Sequence, residues 1–157
     1  NPFLAYGIDE FLKQSSNAGL DGLIVPDLPI SESKQISQKC FDNGIHLIPL
    51  LAPTSTDETI QKACEQAKGF IYCVSLTGVT GARKNLSLGV ETLVKKIKSY
   101  TDVPVLVGFG VSKREDVINI SKFADGAVVG SAFLDSIENA DYEKTEAGVD
   151  FVKNLAN

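Results

Sequence analysis

The 157-residue sequence has no methionine and no tryptophan, a single histidine, three cysteines and only 8% aromatic residues. Each scarcity closes a class of function. Cys40, Cys64 and Cys73 are odd in number and include no Cys-x-x-Cys pair, and His46 is the only histidine, so neither a disulfide framework nor a structural zinc site is expected. They read as reduced thiols in or near a core. Positive charge is also short: 15 Lys and Arg against 20 Asp and Glu leave −5. That balance excludes bulk attraction to nucleic acid or anionic lipid, and it leaves room for a local anion pocket. Apolar runs such as Leu47 to Ala52 are far below the ~20 residues that cross a bilayer, and no basic segment followed by an apolar one opens the chain. The expectation is one cytoplasmic domain over residues 1–157, with no nucleic-acid or membrane partner and no metal. Because Asn1 stands first and methionine is lacking, the chain is also expected to be processed or part of a longer polypeptide.

What is present is 43% hydrophobic and 22% charged, enough apolar material for a sizeable core. Five short runs are nearly continuous in apolar residues: 21–25, 46–51, 69–75, 103–108 and 126–130. Continuity rather than alternation predicts parallel strands buried on both faces. Between them lie helical patterns. Ile8, Phe11, Leu12 and Ser15 share a face; a second helix opens at Ser31; a third, after Ser55 to Asp57, carries Ile60, Ala63, Cys64 and Ala67. A fourth follows Leu88 with a stripe of Val90, Leu93, Val94 and Ile97, and a fifth starts at Ser112 with Val117 and Ile120 inside. Gly19, Gly44 and Gly69 stand where a left-handed residue would close a helix before the next strand. The repeated helix-strand order predicts an α/β protein with a parallel sheet.

Ligands of such folds sit beyond the carboxyl ends of the strands. Three of the five ends here are rich in glycine: Thr77-Gly78-Val79-Thr80-Gly81, Gly108-Phe109-Gly110 and Gly130-Ser131. Glycine lets backbone N–H groups approach a phosphate closely, and a helix N-terminus adds a favourable partial charge, so Gly81, Gly110, Gly130 and Ser131 are candidate phosphate contacts. Tight turns alone would need the same glycines. Residues 76–88 read either as a mobile lid or as a surface loop. Asp27, between two prolines, is a general acid or base in one reading and a turn former in the other. Tyr72 either points its hydroxyl into the ligand site or packs as a core aromatic. His46 begins a strand at the end away from any ligand and reads as structural.

Several motifs, in order and spacing, resemble the tryptophan synthase α subunit family. They are Asn1-Pro2-Phe3, Val25-Pro26-Asp27-Leu28-Pro29, Ala52-Pro53-Thr54-Ser55-Thr56-Asp57, Tyr72-Cys73-Val74-Ser75 with Gly78-Val79-Thr80-Gly81-Ala82, Gly108-Phe109-Gly110 and Gly130-Ser131. The resemblance implies a (β/α)8 barrel, seen here as a partial barrel of about five strands. It implies a lyase that splits indole-3-glycerol phosphate into indole and glyceraldehyde 3-phosphate, and a partner, the β subunit, that carries pyridoxal phosphate; no cofactor is implied for this chain. By position, Gly81, Gly110, Gly130 and Ser131 correspond to phosphate-binding groups. Tyr72, Ile24 and Leu50 correspond to the indole surroundings, and Thr80 to the lid threonine. The family's catalytic Glu and Asp would lie upstream of Asn1, so no catalytic residue is assigned here and this chain alone is expected to be inactive. Another phosphosugar-handling barrel, isomerase or aldolase, and a non-catalytic phosphate-binding module are the alternatives.

Overall fold

A computed structural model describes residues 2–74, 83–108 and 110–156. Two helices, α1 (Pro2–Tyr6) and α2 (Ile8–Asn17), precede β1 (Gly22–Ile24). Then come α3 (Ile30–Asp42), β2 (His46–Ile48), β3 (Leu50–Leu51), α4 (Asp57–Gln66), β4 (Ile71–Val74) and α5 (Arg83–Lys98). The remainder is β5 (Val105–Gly108), α6 (Arg114–Ile120), β6 (Gly126–Val128), α7 (Ser131–Glu138) and α8 (Lys144–Ala156). Glycines 19, 44 and 69 have φ of 82°, 72° and 78°, the left-handed conformation expected of residues that turn the chain from helix to strand.

Every strand pair is parallel. The run 46–51, expected as one strand, is divided at Pro49. Its first half pairs with β1 and its second half with β4, giving a two-stranded and a four-stranded sheet that share this segment of chain. The reason is local: proline has no N–H to offer the ladder, although the Pro49 carbonyl accepts from the Tyr72 N–H at 3.0 Å. Pro104 likewise delays the next strand, so β5 starts at Val105 rather than Val103 while the Pro104 carbonyl accepts from Ile71 N–H at 2.8 Å. The spatial order is β1, then β2 and β3 as one line, then β4, β5 and β6.

Parallel strands with helical connections bury one sheet face under the helices. Leu51, Ile71, Cys73, Val105 and Val107 point to that side and pack with Ile60 and Ala63 of α4, Val90, Leu93, Val94 and Ile97 of α5, and Ile120 of α6. A smaller core gathers Leu12, Cys40, Ile45 and Leu47, with Phe3, Phe11 and Leu23 packed against it. The three cysteines are buried and free. Burial pushes the Cys40 thiol up to about 11 and the Cys73 thiol to about 12, so both stay protonated and unreactive at neutral pH.

Helix starts depart from expectation in instructive ways. Thr56 caps α4 by accepting from the Thr59 N–H at 3.3 Å. Ser31, by contrast, lies inside α3, whose cap position is Pro29. Ser112 does not open α6; its N–H and that of Lys113 are both held at 3.1 Å by the Asp116 carboxylate, which reaches back from the first turn. The fourth predicted helix begins at Arg83, not after Leu88, so the second half of the expected lid is helical backbone. Its first half lies outside the described residues.

Candidate functional site

The strand register decides which of the predicted residues can meet. Ile24 is paired with Ile48, Leu50 with Tyr72, Tyr72 with Leu106 and Leu106 with Gly126. Registered neighbours in a parallel sheet share a face, and residues two apart in one strand do too. Ile24, Leu50, Tyr72, Leu106 and Val128 therefore occupy the face opposite the helices. Leu50, Tyr72, Leu106 and Val128 are half-buried, and Ile24 is 42% exposed. The three residues predicted around an aromatic ligand thus lie on one apolar surface, joined by Leu106 and Val128. Those two were missed from the sequence because assigning a residue to a face of a fully apolar strand requires the register.

Tyr72 occupies a defined place on this surface. A Cβ added to Gly108 would collide with its hydroxyl oxygen and lie 2.7 Å from its Cζ and 3.1 Å from the Val128 Cβ. The ring therefore leans from β4 over the backbone of β5, and only glycine at 108 leaves room for it. Burial raises the Tyr72 pKa above the usual phenol range, which keeps the hydroxyl protonated and able to donate. Gly108 is a third residue that sequence reading left out of the site; its signal was present in the Gly108-Phe109-Gly110 run, masked by the phosphate reading of its neighbour.

Gly110 and Gly130 each stand two residues beyond the registered pair Gly108 and Val128, so the turns after β5 and β6 open at one level. Gly110 has φ 73°, which disfavours any residue with a Cβ. Gly130 is the cap residue of α7, makes no side-chain cap hydrogen bond, and has no heavy atom within 4 Å of an added Cβ. Its carbonyl accepts from the N–H groups of Phe133 at 2.9 Å and Leu134 at 3.2 Å. Ser131 is the first residue of α7, and the first N–H groups of a helix have no partner within it. Gly110, Gly130 and Ser131 are all exposed, so these donors are accessible to a ligand approaching from solvent. Thr80 and Gly81 lie outside the described residues.

A separate cleft of about 480 Å³ is lined by Pro26, Asp27, Leu28, Ser31, Leu50, Glu58, Thr59 and Lys62. Of the predicted site it contains only Leu50. Asp27 lies on its rim within a turn in which the Leu28 N–H binds the Val25 carbonyl at 3.1 Å, as the turn-forming reading of the two prolines requires. His46 opens β2 at the far end of the strands, and its Nδ1 is buried without a hydrogen-bond partner. Among the described residues, no group of His, Cys, Asp and Glu is placed to hold a metal ion, and no helix is long and apolar enough to cross a membrane.

The profile of the tryptophan synthase alpha chain family matches residues 1–156. The chain belongs to that family. It is 48% identical over 139 residues to the tryptophan synthase alpha chain of Carboxydothermus hydrogenoformans, covering 88% of this chain and 52% of that one. Against the alpha chain of Roseiflexus sp. strain RS-1 it is 43% identical over 156 residues, covering 99% and 60%. Among solved structures, a chain from the tryptophan synthase α2β2 complex of Pyrococcus furiosus superposes with TM-score 0.87 at 36% identity, covering 99% of this chain and 63% of that one. The alpha chain of Legionella pneumophila superposes with TM-score 0.82 at 29% identity, covering 99% and 58%. The five strand lines and their helices are therefore part of a (β/α)8 barrel. Gly110, Gly130 and Ser131 follow its last two strands here, which is where barrels of this kind commonly hold phosphate. The chain spans about half the length of the curated relatives it matches.

Proposed function

We propose that this chain carries the phosphate side and part of the indole wall of a tryptophan synthase α site, which cleaves indole-3-glycerol phosphate to indole and glyceraldehyde 3-phosphate. In the reaction the bond from indole C3 to the glycerol chain breaks. C3 takes up a proton, and the adjacent glycerol hydroxyl loses one to become the aldehyde. Main-chain N–H groups of Gly110, Gly130 and Ser131 hold the phosphate and orient the chain of the substrate, with Gly81 and Thr80 joining from the segment after β4. Leu50, Tyr72, Ile24, Leu106 and Val128 bound the ring. None of these side chains is a carboxylate, so the base for the indole N–H and the acid for C3 are assigned to residues upstream of Asn1. As a single domain in the cytoplasm, the chain would work beside a β subunit that holds pyridoxal phosphate and consumes indole, and it needs no cofactor of its own.

The observation that carries this reading is the shared level of Gly110 and Gly130 beyond the pair Gly108 and Val128, at the uncapped start of α7. An anion there meets unpartnered N–H groups and the positive end of a helix at once. Titration of the 157-residue chain with glyceraldehyde 3-phosphate, followed by amide chemical shifts, tests it. Perturbation at residues 110, 130 and 131 is expected, with millimolar affinity, or about −4 kcal/mol. Gly130→Val should abolish it by filling the open space beside the backbone. Shifts confined to Arg83 and Lys84 would reduce the binding to a nonspecific charge contact and sink the proposal.

A further inference from the structure

The helix whose first turn faces the anion is itself held from behind. Phe133 and Ile137 are one turn apart on α7 and lie on one face of it. Both meet α8 at Gly148, a buried glycine in the interior of that helix. A Cβ on Gly148 would come within 3.3 Å of Ile137 Cδ1 and of Phe133 Cε2 and Cζ, close enough that these side chains would have to give by a few tenths of an ångström. The edge of Phe151 lies against the half-buried Phe133 ring, with ring centres 5.9 Å apart and planes at 61°, and closes its retreat on that side. Interior glycine weakens a helix, so its presence in α8 calls for a packing reason, and the notch that receives Phe133 supplies one.

Phe133 is also part of the first turn of α7. Its N–H donates to the Gly130 carbonyl at 2.9 Å, and its own carbonyl accepts from Ser136 Oγ at 2.7 Å. A shift of the Phe133 backbone that follows its ring out of the notch would pass through one backbone hydrogen bond to Gly130 and to the direction of the Ser131 N–H. We infer that Gly148 is a positioning residue: without touching the substrate, it seats Phe133 so that the first turn of α7 aims its N–H groups at the phosphate. This inference rests on the phosphate reading proposed above.

Gly148→Ala in the 157-residue chain tests it, with inorganic phosphate as the probe. Alanine raises helix propensity while crowding the notch, so the two effects separate. The thermal midpoint is expected to hold or rise, and phosphate affinity to fall by about 2- to 10-fold, the worth of one backbone hydrogen bond. The amides of Ser131 to Leu134 should already shift before phosphate is added. In the double variant Gly148→Ala with Phe133→Leu, which removes the crowded ring atoms, affinity should return to within about twofold of the parent. Parental affinity and unshifted first-turn amides in Gly148→Ala would overturn the positioning role alone. A parent chain that shows no phosphate response at residues 130 and 131 would overturn both the role and the reading beneath it.

Discussion

The two faces of the same strands differ sharply. Toward the helices, Ile71, Cys73 and Val105 are completely enclosed and Val107 is 1% exposed. Toward the other side, Leu50, Tyr72, Leu106 and Val128 are half-buried, and Ile24 is 42% exposed. Alternation along an apolar strand cannot produce that difference; what lies against each face does. The helix side is finished by residues of this chain, because each strand brings its own crossover helix to it. The opposite side carries the residues proposed above to face a ligand, and apart from Ile48, which is buried beside β1, its side chains are less covered. The enclosed face and the face proposed to meet a ligand are thus one residue apart in sequence.

The largest expected effect is on the enclosed face. Ile71→Ala should destabilise the chain by about 2 to 5 kcal/mol, through lost burial and a cavity that packed helices cannot close. Leu106→Ala, one strand over on the half-buried face, should cost less than about 2 kcal/mol because less of the side chain leaves an apolar environment. Urea unfolding of the two variants compares them directly, and equal costs would break the contrast between the faces.

An intermediate effect is expected where the face opposite the helices is tightly packed. Gly108→Ala drives a methyl into the Tyr72 hydroxyl and should cost about 1 to 3 kcal/mol. In a Tyr72→Leu background most of that cost should vanish, a coupling that a double-mutant cycle reads as non-additivity. Additive costs would mean that Tyr72 does not rest on Gly108.

The smallest effect concerns the polar clamp at the base of the enclosed face. The Asp125 carboxylate binds Lys98 Nζ at 2.7 Å and the Val105 N–H at 2.8 Å, tying α5, β5 and the approach to β6. Lys98, and then the Val105 N–H, hold its pKa below the usual carboxylate range. A carboxyl held low in the folded state contributes stability that is complete above its unfolded pKa of about 3.9 and fades as pH falls through the lower folded value. Asp125→Asn should therefore cost less than about 1 kcal/mol at pH 7, since the carboxylate is 41% exposed and screened by solvent. The gap between variant and parent should narrow below about pH 4. A gap that widens on acidification would reverse the assignment of the shift.

Much of the fold was legible because its signals are short-range. All five apolar runs became strand lines, trimmed at their ends, and the stripe of Val90, Leu93, Val94 and Ile97 is the buried face of α5. Where expectation and structure part, a local cause is visible: Pro49 divides a strand, and Asp116 rather than Ser112 secures the start of α6. Helix α8 was not anticipated from the pattern of strands and helices. At the candidate site, the glycines and Tyr72 stood out as residue types near strand ends. Leu106, Val128 and the role of Gly108 were not, because their part depends on which residues of neighbouring strands stand side by side.

By itself the sequence determined the order of strands and helices, the left-handed turns at Gly19, Gly44 and Gly69, the uncharged apolar character of the strands, and membership of the family. These follow from properties a residue has with its immediate neighbours: conformational freedom, periodicity and the motifs they spell. Only the tertiary structure decided that Tyr72 covers Gly108, that Asp125 reaches Val105, that Gly148 receives Phe133, and that Gly110 and Gly130 open at one level. Each of these is a contact between residues distant in sequence, created by strand register and helix packing, and a shift of one residue in register would place a different side chain at every one of the strand positions.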